Sequence, residues 1–255
     1  MHRTMLCLLI ITGIFLLGDI QPEAEAGEVV KVGVAHFPPW VTAGKGGING
    51  VDFELINVVF DRIGIHPEYV SLEFSEILDR MKTGEIDASL CLLFREDRNK
   101  YIRYISPPYR TKSTVKFYVL KKSGICVKRY IDIAGRRVAV SKGARYFPTF
   151  DLDDRMVKVE YGSQKEAFRA LADGYVDVTI CSGASGEYYL KELGVQDRIR
   201  SCMFTYAPKL MPVYIGVSRK SKLMHKADGM EASLRKMQEE GVIEEIAGRY
   251  GVSVR

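Results

Sequence analysis

The sequence predicts an α/β protein of two lobes, each built on a parallel-rich sheet, with the chain crossing between them twice. Three observations predict this. First, residues 76–87 (EILDRMKTGEID) and 166–177 (EAFRALADGYVD) share the pattern Glu-x-apolar-x-x-apolar-x-x-Gly-x-apolar-Asp. Leu78/Met81 and Phe168/Leu171 are spaced for one face of a short helix, and Gly84 and Gly174 fall where a left-handed residue would end it. Second, each closing Asp leads into an apolar run, ASLCLLF or VTIC, that reads as a buried strand. Third, VVKVGVA (29–35) and RRVAVS (136–141) read as matching strands that each enter a loop. Each half is then strand–loop–helix–strand–helix–strand, the order that gives right-handed parallel crossovers.

The elements follow in order. After His2 and Arg3 comes the apolar run 5–17, MLCLLIITGIFLL. Its thirteen residues suit a signal-peptide core and fall short of the roughly 20 that span a membrane. Ala24-Glu25-Ala26 is the small-x-small pattern of a cleavage site, so residues 1–26 are expected to be a signal peptide and the protein to be exported. The first lobe is expected over 27–111 plus 216–255 and the second over 112–215. After strand 29–35, GKGGING (44–50) reads as a hairpin turn. It is not a dinucleotide loop, because its glycines do not follow a strand and open a helix. A helix over 52–63 and a strand over 68–72 come next. STVKFYVLKKSG (113–124) reads as a strand leaving the first lobe, and LMPVYIGVSRKSK (210–222) as one returning to it. Residues 223–250 read as helical, with Met230, Leu234, Met237, Val242 and Ile246 spaced for a buried face.

Composition limits the function classes. The chain has 37 Lys+Arg and 32 Asp+Glu, a net charge of +5. Residues 1–26 carry one arginine and three acids, so the remainder has 36 and 29, or +7. The charges are mixed and form no polybasic arm, so nucleic acid is not an expected partner. Cys91, Cys126, Cys181 and Cys202 have no CxxC spacing, and either disulfides or buried thiols fit them. The four histidines have no metal-ligand spacing, and no cofactor is expected.

The stretch LLFREDRNKYIRYISPPYR (92–110) carries four arginines and three tyrosines. It could bind a polyanion, line a catalytic pocket or clamp a small acid. The order of motifs around it resembles the extracellular solute-binding proteins of family 3, the polar-amino-acid type that feeds ABC importers. NGVDFELINVVFDRIG (49–64) is similar to the family's G-F-D-x-D-L helix entry, and EILDRMKTGEID to its L-x-x-L-x-x-G-x-x-D segment. REDR (95–98) resembles its T-P-E-R, ISPPY (105–109) its F-S-x-P-Y, and AGRRVAVSKGA (134–144) its L-x-G-K-x-V-G-V-x-x-G-T. ALADGYVDV (170–178) and EEGVIEEIAGRYG (239–251) match the second-lobe and C-terminal motifs.

The resemblance implies a type II periplasmic-binding-protein fold, two lobes joined by a two-strand hinge and closing on a ligand. It implies a monomeric periplasmic protein that delivers a carboxylate-bearing ligand to a membrane ABC permease. It also implies site residues. Arg98 would form the bidentate carboxylate clamp, for which a planar guanidinium is suited and lysine is not. Phe37 and Trp40 would lie at the aromatic wall, and Leu92 and Leu93 would present backbone groups to the ligand. Departures stand at three places. Arg95 replaces the motif's threonine, Ala144-Arg145 replaces a hydroxyl pair, and Ser182 replaces the acid that holds an α-ammonium. Unless Glu187 or another acid reaches the cleft, an amine would be unpaired, and Arg95, Arg98 and Arg145 would favour a carboxylate without one.

Two other readings stay open. GASG (183–186) is not a Gly-x-Ser-x-Gly elbow and no nucleophile–base pair is evident, so a secreted dehydratase acting on a cyclic acid is the weaker alternative. The sequence up to Arg255 shows no second apolar span or signalling domain, yet a soluble partner presenting ligand to a membrane sensor would look the same.

Overall fold

The computed structural model describes residues 29–44 and 46–255, so the expected signal peptide lies outside the described residues. In the first half the chain runs β1 (Val30–Val34), a hairpin of β2 (Thr42–Gly44) and β3 (Gly47–Asn49), α1 (Val51–Arg62), β4 (Pro67–Ser71), α2 (Phe74–Thr83) and β5 (Ala88–Leu93). A four-residue helix α3 (Glu96–Asn99) and β6 (Ile102–Tyr104) complete it. The second half runs β7 (Val115–Leu120), β8 (Arg137–Ser141), α4 (Pro148–Leu152), β9 (Val157–Tyr161), α5 (Gln164–Asp173), β10 (Val178–Ser182), α6 (Gly183–Glu192) and β11 (Ile199–Tyr206). The chain then returns as β12 (Val213–Ser218), α7 (Ala227–Glu239) and α8 (Val242–Arg249).

Two five-stranded sheets result, in the orders β4-β1-β5-β12-β6 and β9-β8-β10-β7-β11. They are the same sheet built twice. In each, three strands of the repeat are parallel, and the fourth is a strand that has just crossed from the other half and runs antiparallel. The repeated Gly84 and Gly174 end α2 and α5 in the left-handed conformation, at φ 88° and 81°. That turn brings Asp87 and Asp177 back to accept the N–H groups of Lys31 and Arg137, at 2.7 and 2.8 Å, at the starts of β1 and β8. The shared glycine and aspartate of the sequence repeat are therefore what align each helix with its sheet.

Each sheet is covered on both faces. In the first lobe Leu55, Phe60, Leu234 and Ile243 fill one face from α1, α7 and α8, while Ile77 and Met81 of α2 fill the other. In the second lobe Phe117, Phe150 and Ile180 form one core layer, and Phe168, Leu171 and Tyr189 the other. Residues 223–250 are not one continuous helix. Gly241 (φ 73°) separates α7 from α8 and resets the register, so Ile243 is buried where the unbroken spacing pointed to Val242. The α6 helix lies so close to β7 that a Cβ at Gly186 would overlap the Tyr118 hydroxyl. Gly186→Ala is expected to cost about 1–3 kcal/mol through this overpacking, read as a lowered urea midpoint.

The crossings pair with each other. Arg110 and Val213 form an antiparallel bridge, and Met211 N–H donates to Thr111 O at 2.8 Å. Thr111 and Lys112 also donate to Val254 O, which ties the C-terminal segment to the same place.

Candidate functional site

The carboxyl ends of β1, β4, β5, β8, β9 and β10 face one cavity of about 450 Å³. Crevices at strand carboxyl ends are where open α/β sheets bind ligands. The lining draws on both sheets, with Phe37, Phe74 and Arg98 from the first and Ala144, Ser163 and Ser182 from the second.

Arg98 lies on α3, directly after β5, and is 4% exposed. Its Nη2 donates to the Gly143 carbonyl of the other lobe at 2.6 Å, and its guanidinium lies 5.6 Å from the Phe74 ring. No carboxylate pairs with it among the described residues. Burial pulls its pKa below the ordinary guanidinium value, although no pH of interest deprotonates it. A buried cation with no anion of its own is costly, and the adjoining cavity is the space in which an anion could be supplied.

Several other expected residues meet here. Phe37, Leu93, Ala144, Arg145 and Ser182 line the cavity with Arg98. Ser182 is also the N-cap of α6, accepting Ser185 N–H at 3.2 Å and donating to Ser185 Oγ at 2.9 Å. Arg145 is exposed, and its Nη1 donates to the Ala144 carbonyl at 3.1 Å.

Three expected residues are placed elsewhere. Leu92, expected to present a backbone group, does not line the cavity; its side chain is fully buried against α2, on the face opposite to Leu90, because the left-handed Cys91 interrupts the regular alternation of β5. Trp40 is covered by the Arg110 guanidinium, 3.7 Å from its ring, and does not line the cavity. Arg95 turns away from the cavity and pairs with Asp151. Glu187, the alternative acid, lies 3.8 Å from Lys116 and is also off the cavity. The acids that do line it are Glu73 and Glu76. Arg80 neutralises Glu76 at 2.5 Å. Glu73 has no such partner among the described residues, and burial, then Glu166 and Glu76, raise its pKa.

A polar cluster behind the first-lobe wall was not legible in the sequence. Asp52, in the first turn of α1, is fully buried. Its Oδ2 accepts from Tyr109 Oη at 2.7 Å, from the Cys91 thiol at 2.8 Å and from Arg110 Nη2 at 3.3 Å. The Cys91 N–H in turn donates to Tyr109 Oη at 3.1 Å. Burial and the adjacent Asp52 push both the Cys91 thiol and the Tyr109 phenol well above their usual values, so both remain hydrogen donors. Cys91 takes a left-handed backbone, φ 60°, at this point. That conformation is uncommon outside glycine, and Tyr109 and Asp52 hold it on two sides. The cluster therefore sets the course of β5 as it enters the cavity, where Cys91 and Arg110 form part of the wall.

Two α/β lobes of matching topology, joined by paired crossings and facing a shared cavity, define a two-lobed binding protein. Residues 30–253 match the bacterial extracellular solute-binding proteins, family 3, and the chain belongs to that family. It is 23% identical over 230 residues to a probable amino-acid-binding protein, YxeM, of Bacillus subtilis, covering 89% of this chain and 85% of that one. It is 24% identical over 172 residues to an L-arginine-binding protein of Pseudomonas aeruginosa, covering 65% of each. Among solved structures, an ancestral arginine-binding protein bound to arginine superposes with a TM-score of 0.73 at 22% identity, covering 87% of this chain and 97% of that one. An arginine transport-system periplasmic binding protein from Legionella pneumophila gives 0.74 at 16% identity, covering 87% and 99%. These relatives are binding proteins, so the chain is read as a binder and the enzyme alternative falls away.

Proposed function

We propose that this protein is the periplasmic solute-binding component of an ABC importer, and that it captures a small polar ligand through a carboxylate. The observation that carries this reading is Arg98, a cation buried at the cavity with no carboxylate in ion-pair contact with it among the described residues. A ligand carboxylate would meet its free nitrogens in a two-bond fork and remove the cost of the unpaired charge. Phe37 and Phe74 of the cavity lining would offer aromatic surface to the rest of the ligand. The relatives, an L-arginine-binding and a probable amino-acid-binding protein, support an amino acid or a related organic acid.

The missing acid at Ser182 does not remove every counter-charge for an amine. Glu73 lines the cavity, and a cation beside it would relieve its repulsion with Glu166 and Glu76. Amino acids and their 2-oxo analogues therefore form the informative comparison. The test is a thermal-shift panel of L-amino acids, the matching 2-oxo acids, dicarboxylates and α-carboxamides. Binding to the folded state alone raises the melting temperature through linkage, by about 2.7 kcal/mol of stability at a ligand concentration of 100 Kd. At least one free carboxylate is expected to stabilise and its carboxamide not to. Stabilisation by the amides equal to that by the acids would refute the carboxylate reading.

A further inference from the structure

Arg95 stands outside the cavity, yet it joins the two lobes. It precedes α3 in the first lobe, and its Nη2 meets Oδ2 of Asp151, on α4 of the second, at 2.6 Å. Both partners are fixed on their own side. The Arg95 N–H donates to Tyr104 Oη at 3.2 Å, and the Tyr146 N–H donates to Asp151 Oδ1 at 3.0 Å. The two side chains are only 20% and 12% exposed. A pair so shielded is screened by salt much less than an open surface pair. Two other direct contacts join the lobes, Arg98 Nη2 to the Gly143 carbonyl and Tyr189 Oη to the His36 carbonyl at 3.1 Å. The cavity reaches all three, for Arg98, His36 and Tyr146 belong to its lining.

We propose that the Arg95–Asp151 pair is a closure latch. It adds free energy to the closed arrangement that does not depend on which ligand is held. The two residues belong to different sheets, so separating the lobes breaks the pair and returns both ions to water. Its net contribution therefore enters the opening equilibrium rather than the stability of either lobe. The more the latch favours closure, the less of the closing free energy the ligand itself must supply, and the tighter the apparent binding. The motif that REDR resembles has threonine at this position, and a threonine side chain is too short to bridge to Asp151. The arginine that departs from that motif is thus given a task of its own, distinct from the Arg98 clamp.

This inference needs only that the lobes open and close, so it is tested without a ligand. Small-angle X-ray scattering would compare wild type, Arg95→Thr, Asp151→Asn and the double variant, with far-ultraviolet circular dichroism on each. Both single variants are expected to show a larger radius of gyration at unchanged secondary structure, the closed-to-open ratio falling about tenfold. The double variant is expected to expand no further than either single one, because one interaction is lost in all three. Equal radii in wild type and both single variants would overturn the proposal. So would an additive expansion in the double variant, or an expansion accompanied by lost helix signal. None of these results depends on the carboxylate reading of the cavity, so the two can fail separately.

Discussion

Arg98→Ala is expected to weaken binding of the carboxylate ligand by roughly thirtyfold to several thousandfold, the range given by losing one partner of a buried, hydrogen-bonded charge pair. The loss should appear in affinity rather than in folding. Without ligand, Arg98 is a buried cation hydrogen-bonded to the Gly143 carbonyl and to no carboxylate among the described residues, so its removal takes away a desolvated charge along with that contact. The ligand-free melting temperature of Arg98→Ala is therefore expected to stay close to that of wild type. Arg98→Lys should recover little of the affinity, since a single ammonium cannot reproduce two parallel N–H donors. Calorimetric titration of the three proteins with the best stabiliser from the panel checks both statements. An Arg98→Ala protein that binds as wild type does would remove this residue from the site.

Asp52→Ala should have the largest effect on stability. It removes the acceptor shared by Tyr109, Cys91 and Arg110, and leaves Arg110, 3% exposed, without its acid. Breaking a buried pair on one side costs about 3–5 kcal/mol, because the remaining charge is uncompensated. The urea midpoint should fall accordingly. Removing both charges with Asp52→Ala/Arg110→Met should restore a good part of the loss, since an apolar pair of similar volume has no charge to desolvate. If the double variant is as unstable as the sum of the two single ones, the pair is not coupled as the geometry indicates.

Much of the fold could be read from the sequence because it rests on local patterns repeated at fixed offsets. The Glu-to-Asp repeat located α2 and α5, their left-handed ends at Gly84 and Gly174, and the strands that follow. Arg98 was singled out differently, through the family motif that REDR resembles, and the fold places it in the cavity lining. The break at Gly241 was not, since the apolar spacing on either side reads through it and only the left-handed φ shows the change of register.

The site was less legible where it depends on side-chain direction or on distant partners. Leu92 and Leu93 are equivalent as apolar neighbours, yet the pleat of β5 sends one to the core and the other to the cavity. Trp40 is expected at the aromatic wall, but Arg110, seventy positions away, stacks on it. Phe74 stands two positions before the repeat and could have been found by asking which residue opens the first turn of α2. Asp52, Cys91, Tyr109 and Arg110 carry no mutual spacing, and only the fold brings them together.

The central claim is that a ligand carboxylate supplies the anion that Arg98 lacks. The most direct measurement is a four-way titration calorimetry cycle. The best-stabilising acid and its α-carboxamide would each be titrated into wild type and Arg98→Ala. Wild type should prefer the acid by at least roughly thirtyfold, and Arg98→Ala should lose most of that preference, because one interaction is removed by either change. An acid-over-amide preference that is the same in both proteins would contradict the account.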